Sequence, residues 1–336
     1  MKIKIITLFL FFIVAVLSCF EDDQSMPPYT SPYKGMILEQ NIYFNQIYLD
    51  LGSDAVVSFN DNSEWDLAFE SAAEGHHLRL NTSNLLGIAR TGATRMDSVY
   101  SDVSGYEWVV DRPDGNPDST AIGRWFTING TDTSYSKEVF IVGTYNGLVY
   151  TPFKKIQLLS VDENSYKCII NDPESIETDT TIVLKDYNTN NVLYSLKNNS
   201  TISLEPLKDA WDLLFCQYHT ILYTDEGIRT NYYVRGTLLN PNAVEAGLDT
   251  INNFDDIDYD LALQTTLSSK LDIIGHDWKS VEIDEATNAS DYKVRPGYSY
   301  IIKDTDNQYY KLMFTGFYNT DGIKGYPSFE YSLLEP

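Results

Sequence analysis

The sequence predicts a mainly β protein: two tandem antiparallel β modules with few short helices. Three observations carry this expectation. The chain has 25 Tyr and 15 Phe among its 336 residues. It is also rich in Val, Ile and Thr, and clusters of Asn, Asp and Gly cut it into short segments, the pattern of strands joined by turns. Trp65-Asp66-Leu67-Ala68-Phe69 returns as Trp211-Asp212-Leu213-Leu214-Phe215. Further landmarks repeat in the same order. Leu51 is matched by Leu196, Ile122-Gly123-Arg124-Trp125 by Ile274-Gly275-His276-Asp277-Trp278, and Phe140-Ile141-Val142 by Tyr300-Ile301-Ile302. Lys155-Ile156 is matched by Lys311-Leu312. An ordered set of echoes marks a duplicated unit.

Residues 1–18 read as a lipoprotein signal peptide. Lys2 and Lys4 form a basic start, and an apolar run over residues 5–17 follows, interrupted by Thr7. It is too short for a stable spanning helix. Val16-Leu17-Ser18-Cys19 resembles the lipobox of bacterial lipoproteins, which makes Cys19 the expected lipidation site. Several acyl chains bury enough methylenes to hold a soluble domain on a membrane. Residues 19–36 then form a lipidated tether, extended by Pro27, Pro28 and Pro32. Its acidic start, Phe20-Glu21-Asp22-Asp23, resembles the signal that sends Bacteroidota lipoproteins to the outer face of the outer membrane. Removing residues 1–18 deletes two lysines and moves the formal charge from −24 to −26. A surface of that sign repels nucleic acid phosphates. Cys168 and Cys216 could form at most one disulfide, and the apolar setting of Cys216 favours a buried thiol.

The first module spans residues 37–171 and the second residues 190–336, with a polar linker at 172–189. Along Trp211, Leu213 and Phe215 the side chains alternate with polar or smaller ones, so a strand places Trp, Leu and Phe on one core face. Trp65 opens the same element in the first module. Residues 259–273 form the best helix candidate: Asp255, Asp256 and Asp258 suit its N-terminus, and Gly275 would stop it. The first module offers only the shorter stretch 96–103 in that place. Each module closes with a three-stranded meander. In the second it comprises residues 298–303, a turn at Asp304-Thr305-Asp306-Asn307, then 309–318 and 326–334. In the first it runs through residues 140–142, 150–159 and 166–170.

Further landmarks follow the Trp-Asp-Leu-x-Phe strand in order: the stretch Tyr232-Tyr233-Val234-Arg235-Gly236-Thr237-Leu238-Leu239-Asn240-Pro241, Ile274-Gly275 with Trp278-Lys279, and the closing Tyr310-Lys311-Leu312 and Phe329-Glu330-Tyr331. This ordered set resembles the HmuY-like haem-binding lipoprotein family of Bacteroidota. Residues 190–336 match most fully; the first module matches in its Trp motif and closing strands. The resemblance implies an all-β body anchored at the cell surface. It also implies haem as ligand and a TonB-dependent outer-membrane receptor as partner. The competing expectation is a non-enzymatic accessory or scaffold subunit of an outer-membrane protein complex, using its β body for docking.

Haem requires an axial ligand and an apolar cleft. The chain has four histidines. His77 and Arg79, two apart, would share one face of a strand, which makes Arg79 a candidate propionate partner. His76 and His77 follow the first Trp motif and His219 follows the second, so the two modules could each present an imidazole from one region. Two Asp-rich loops, at residues 111–118 and 304–307, lack EF-hand spacing and read as turns. No zinc spacing, Gly-x-Ser-x-Gly, phosphate loop or dinucleotide fingerprint occurs, so neither a metal centre nor an enzyme is expected.

Overall fold

The leader of the first repeat forms β1 (Lys34–Ile37), β2 (Asn45–Asp50) and β3 (Ala55–Asp61). After the Trp motif come β4 (Leu67–Glu70), β5 (Leu78–Leu80), β6 (Leu86–Arg90) and β7 (Trp108–Val109). The hairpin β8 (Phe126–Asn129) and β9 (Asp132–Tyr135) precedes the meander β10 (Val139–Tyr145), β11 (Tyr150–Val161) and β12 (Ser165–Asn171). The second repeat follows suit: a leader of β13 (Thr181–Leu184), β14 (Asn191–Ser195) and β15 (Ser200–Ile202), then β16 (Leu213–Tyr223), β17 (Arg229–Leu239) and β18 (Glu245–Asp249). The helix α1 (Tyr259–Gln264), the hairpin β19 (Lys279–Ile283) and β20 (Ser290–Val294), and the meander β21 (Ser299–Lys303), β22 (Tyr309–Tyr318) and β23 (Lys324–Leu334) complete it. This computed structural model describes residues 31–336 apart from 101, 224–225, 285–286 and 288–289. Cys19 and most of the expected tether lie outside the described residues. Residues 34–336 make one compact unit.

The strands pair in an unexpected phase. One pair of sheets runs β13-β12-β11-β10-β6-β7 and β15-β14-β4-β5; the other runs β1-β23-β22-β21-β18 and β17-β16-β2-β3. Each leader therefore pairs with the Trp strand and closing strand of the other repeat. In β2–β16 pairing Leu49 lies opposite Leu213, and in β14–β4 pairing Tyr194 lies opposite Leu67. Two cores result. One is built from residues between Leu67 and Leu196. The other joins Leu38, Ile47, Leu49 and Leu51 to residues from Leu213 to Tyr331. The first body, β4 to β15, is thus continuous and inserted; the second, split body needs both ends of the described chain. The boundaries at 37–171 and 190–336 follow the repeats of the sequence, whereas the cores divide the chain elsewhere. The stretch 172–189, expected as a linker, contains β13, which pairs with β12.

The Asp of each Trp motif fixes this phase. The Asp212 carboxylate accepts from the Leu51 amide at 2.9 Å, and the Asp66 carboxylate accepts from the Leu196 amide at 2.7 Å. The Asp212 amide donates to Leu49 O at 2.8 Å and the Asp66 amide to Tyr194 O at 2.9 Å. The echo of Leu51 with Leu196 is therefore a reciprocal lock between repeats. Burial pushes the Asp212 carboxyl up to about 6, while the Leu51 and Thr305 amides oppose the shift.

Lys155 and Lys311 also hold equivalent posts. Both are buried in the middle strand of a meander. Lys155 Nζ donates to the carbonyls of Met96, Ser98 and Ser175 at 2.8, 2.6 and 2.5 Å. Lys311 Nζ donates to Phe254 O at 2.7 Å and Ile257 O at 3.0 Å. Each ammonium pins an irregular loop to the outer face of its meander, and burial lowers the pKa of both.

The helix is much shorter than the expected residues 259–273. It starts in the expected Asp-rich stretch, where Asp258 caps it by accepting from Leu261 N at 2.9 Å. After Thr265 the chain is drawn into a bridge with β18, where Ser268 N and Ala246 O lie 2.9 Å apart. Pairing to a sheet edge wins over helical continuation. Gly275 does not cap a helix; it bridges Thr237, its N donating to Thr237 O at 3.0 Å. The described residues of 96–103 form no helix, and Met96 and Tyr100 pack instead against Ile141 and Ile169. Both Cys168 and Cys216 are buried free thiols.

Candidate ligand-binding site

A cavity of 600 Å3 lies at the seam between the two bodies, within the usual range of about 300–1,000 Å3 for ligand pockets. Strand alternation decides what each body shows it. In β4, Leu67 and Phe69 face the inserted core, so Ala68 and Glu70 face the cavity. In β16, Leu213 and Phe215 face the split core, leaving Leu214, Cys216 and Tyr218 on the cavity side. His77 and Arg79 line it from β5 and the residue before it, while Leu78 and Leu80 are buried. Leu238 lines it from β17.

Glu70 organises the polar wall. Its Oε2 lies 2.8 Å from His77 Nδ1 and accepts from the His76 and His77 amides at 3.0 and 3.1 Å. Burial alone would raise this carboxyl, but the His77 ring and the two amides hold it down at about 2. Gly75 leaves room for the Glu70 side chain in this position, since a Cβ there would meet Glu70 Cγ at 2.6 Å. The loop between β4 and β5 is clamped from outside. Tyr166 Oη donates to Glu70 O at 3.0 Å and Gly75 O at 3.1 Å, and Lys185 Nζ donates to Ala72 O and Gly75 O at 2.8 Å. Arg79 Nη2 donates to Gly115 O at 2.7 Å.

The remaining wall mixes charge with aromatic surface. Burial pushes Glu205 up to about 7, opposed by its bonds from Asn190 and Asn191. Lys208 lines the cavity too. Both motif tryptophans are buried, as expected of them, but at this seam rather than on the face that Leu and Phe of their strands present to the large cores. The physical reason is the Asp that follows each one. Its bond to the opposite leader fixes the backbone just before the strand, so the indole falls outside the alternation. Trp65 Nε1 donates to Gln46 Oε1 at 2.7 Å. Trp211 meets Tyr48 edge-on at 5.0 Å, and its Nε1 is buried with no partner among the described residues. Ser71 Oγ, also on the lining, is likewise unpartnered among them.

Of the histidines singled out by sequence, only His77 lines the cavity. His76 turns away: its Nδ1 lies 2.7 Å from Glu74 O and its ring packs on Phe126. His219 is buried in β16, with Nδ1 3.3 Å from Asp111 O and its ring edge-on to Tyr233. The two hairpins do not place His77 and His219 equivalently. Leu67 opposes Leu80 in one and Leu213 opposes Leu239 in the other, so His77 corresponds to Gly236 and His219 to Ala73. The Asp-rich loops behave as turns: Asp114 Oδ1 accepts from Asn116 N at 3.0 Å, and Asp304 accepts from Asp306 N and Gln308 N at 2.9 and 2.7 Å. Sequence reasoning missed Glu70, seven residues before His77 and brought to it only by the hairpin turn.

Residues 42–192 and 186–331 each match the family model described as HmuY protein. The chain belongs to the HmuY family. Each matched stretch joins a leader to the Trp strand of its own repeat, so this HmuY protein distributes each family unit over two bodies. Solved structures similar to it include apo PinO from Porphyromonas gingivitis, at 11% identity over 91% of this chain and 99% of that one, with a TM-score of 0.26. A candidate lipoprotein from Bacteroides fragilis is 16% identical over 42% of this chain and 81% of its own, with a TM-score of 0.20. A candidate HmuY-like haem-binding protein from Bacteroides vulgatus is 13% identical over 53% and 90%, with a TM-score of 0.17. No curated protein matches the chain.

Proposed function

We propose that this HmuY-family chain is a non-enzymatic binding protein that takes haem, or a related flat amphipathic ligand, into the seam cavity with His77 as axial ligand. The observation that carries the reading is the His77–Glu70 pair on the cavity wall. Metal-binding histidines characteristically use their second ring nitrogen on a carboxylate, which sets the tautomer and raises ligand basicity. Glu70 holds Nδ1, so Nε2 would be the nitrogen left to hold a haem iron. The apolar side chains of Leu214 and Leu238 suit a porphyrin face, and Arg79 and Lys208 supply positive charge for propionates. His219 and His76 are not used, since neither lines the cavity. When bound, haem would supply the iron centre; the protein would supply orientation and enclosure.

Membership of the family supports a wider role as well. Lipidated at Cys19, the protein would stand on the outer membrane and work beside a TonB-dependent transporter or another outer-membrane complex. The test is a haemin titration of residues 20–336, followed by Soret absorbance. A stoichiometric shift is expected, abolished by His77→Ala and weakened about 10- to 100-fold by Glu70→Gln. The absence of any shift, or a shift indifferent to His77→Ala, would sink this reading. Co-purification of an outer-membrane protein without a haem signal would favour the scaffold role instead.

A further inference from the structure

A second cleft, of 340 Å3, opens elsewhere between the bodies. Tyr145 and Tyr150 of β10 and β11 form one side; Asn231, Tyr232, Tyr233 and Arg235 of β17 form the other. Its aromatic wall is built rather than incidental. Trp108 stacks on Tyr150 with ring centres 4.6 Å apart and planes 11° from parallel, and Tyr145 lies 5.1 Å from Tyr150. Two glycines make room for that stack. A Cβ at Gly143 would meet the Trp108 ring at 2.3 Å, and one at Gly87 would meet Tyr150 at 2.5 Å. Arg235 is equally fixed. Its guanidinium lies 4.0 Å above the Tyr43 ring centre, and Nη1 donates to Tyr233 O at 3.0 Å. Its Nε is buried and has no partner among the described residues.

We propose that this cleft is a second binding site, taking a small planar aromatic acid whose ring packs on the Tyr145–Tyr150 wall and whose carboxylate meets Arg235. Fixed aromatic rings reward a flat π surface through offset or edge contacts. A guanidinium held against a ring keeps its remaining donors in a planar fork, the geometry that matches a carboxylate. Among the described residues of the lining Arg235 is the one cation, in a chain of net charge −24, so one anionic group is matched and a polyanion is repelled. The volume is near the low end of the usual pocket range of about 300–1,000 Å3, which limits the ligand to one or two rings. The site is independent of His77 and of the proposed haem cavity.

The test is calorimetric titration of residues 20–336 with 2-naphthoate, with cyclohexanecarboxylate as the acid without a π face and 2-naphthalenemethanol as the arene without charge. Naphthoate should bind one to one, and each control should bind about tenfold more weakly or worse. Arg235→Gln should cost about tenfold or more. Tyr145→Ala, in a hairpin away from both cores, should also weaken binding and covers the case that Arg235→Gln fails to fold. His77→Ala should leave naphthoate affinity unchanged. No binding at millimolar naphthoate overturns the proposal, as does equal binding of cyclohexanecarboxylate or indifference to both cleft substitutions. Loss of naphthoate binding in His77→Ala would place the ligand in the haem cavity and overturn it too, without bearing on the Soret result.

Discussion

The inserted and split bodies share nine strands in equivalent sheet positions, yet they present different faces to the seam. Where the inserted body carries Glu70, His77 and Arg79, the split body carries Cys216, Gly236 and Leu238. The cores tolerate little change, because close packing penalises any altered volume. The seam faces carry no such constraint and have diverged, most plainly where charged side chains of the inserted body correspond to Cys216, Gly236 and Leu238 of the split one. The split body is further barred from copying the histidine. A Cβ at Gly236 would meet Gly275 O at 2.2 Å, where β17 is crossed by the chain leading to Trp278. Duplication thus gave an amphipathic cavity from two copies of one surface, each free to specialise.

The largest test of this division is removal of the first leader. Leu38, Ile42, Ile47, Leu49 and Leu51 are fully buried in the split core. At about 1.5–3 kcal/mol for each buried side chain, their loss is comparable to the whole stability of an ordinary domain, about 5–15 kcal/mol. A chain beginning at residue 63 should therefore lose the split body's unfolding transition in calorimetry while the inserted body keeps its own. Loss of both transitions would show that the two cores fold as one unit and would break the comparison.

A smaller effect tests the symmetry itself. Lys155→Met and Lys311→Met each remove an ammonium that satisfies buried loop carbonyls in its own body. Each should lower stability by about 2–3 kcal/mol, because acceptors left buried without donors carry their full desolvation cost. Urea denaturation of the two variants should give similar losses. A neutral result at one site would mean that the repeated lysine holds only one of the two loops.

These elements differ in how far the sequence displays them. The meanders and the echo of Lys155 with Lys311 are legible, since alternation and turn residues are local signals. The exchange of leaders is not. The alternation of β2 is satisfied by either Trp strand, and nothing in residues 45–50 records which one it pairs with. The helix after Asp258 begins where its cap dictates, but its end is set by Ser268 pairing with Ala246, a contact between distant positions. In the candidate site, the shared face of His77 and Arg79 follows from their spacing. Glu70 and the seam do not, because one needs a turn and the other needs the second body. Placing His77 and His219 at matching posts assumed equal hairpins, whereas β16 and β17 each have 11 residues and β4 and β5 only 4 and 3.

The finest test sets the two tryptophans against each other. Both are buried at the seam, so Trp→Phe removes similar apolar surface from each. Their indole N–H groups differ. Trp65 Nε1 donates to Gln46 Oε1, which also accepts from Asn60 Nδ2 at 3.1 Å, so Trp65→Phe breaks into a buried polar network that joins the bodies. Trp211 Nε1 has no acceptor among the described residues, so Trp211→Phe gives up none of these bonds and removes a buried donor that gains nothing in the free protein. Trp65→Phe should therefore be the more destabilising by about 1 kcal/mol, the net worth of one hydrogen bond. The order should change when ligand affinity is measured instead. If the unpartnered Trp211 donor meets an acceptor on the bound molecule, Trp211→Phe weakens haemin binding more than Trp65→Phe does. Equal effects on both stability and affinity would mean that the two seam walls, however different in composition, are used alike.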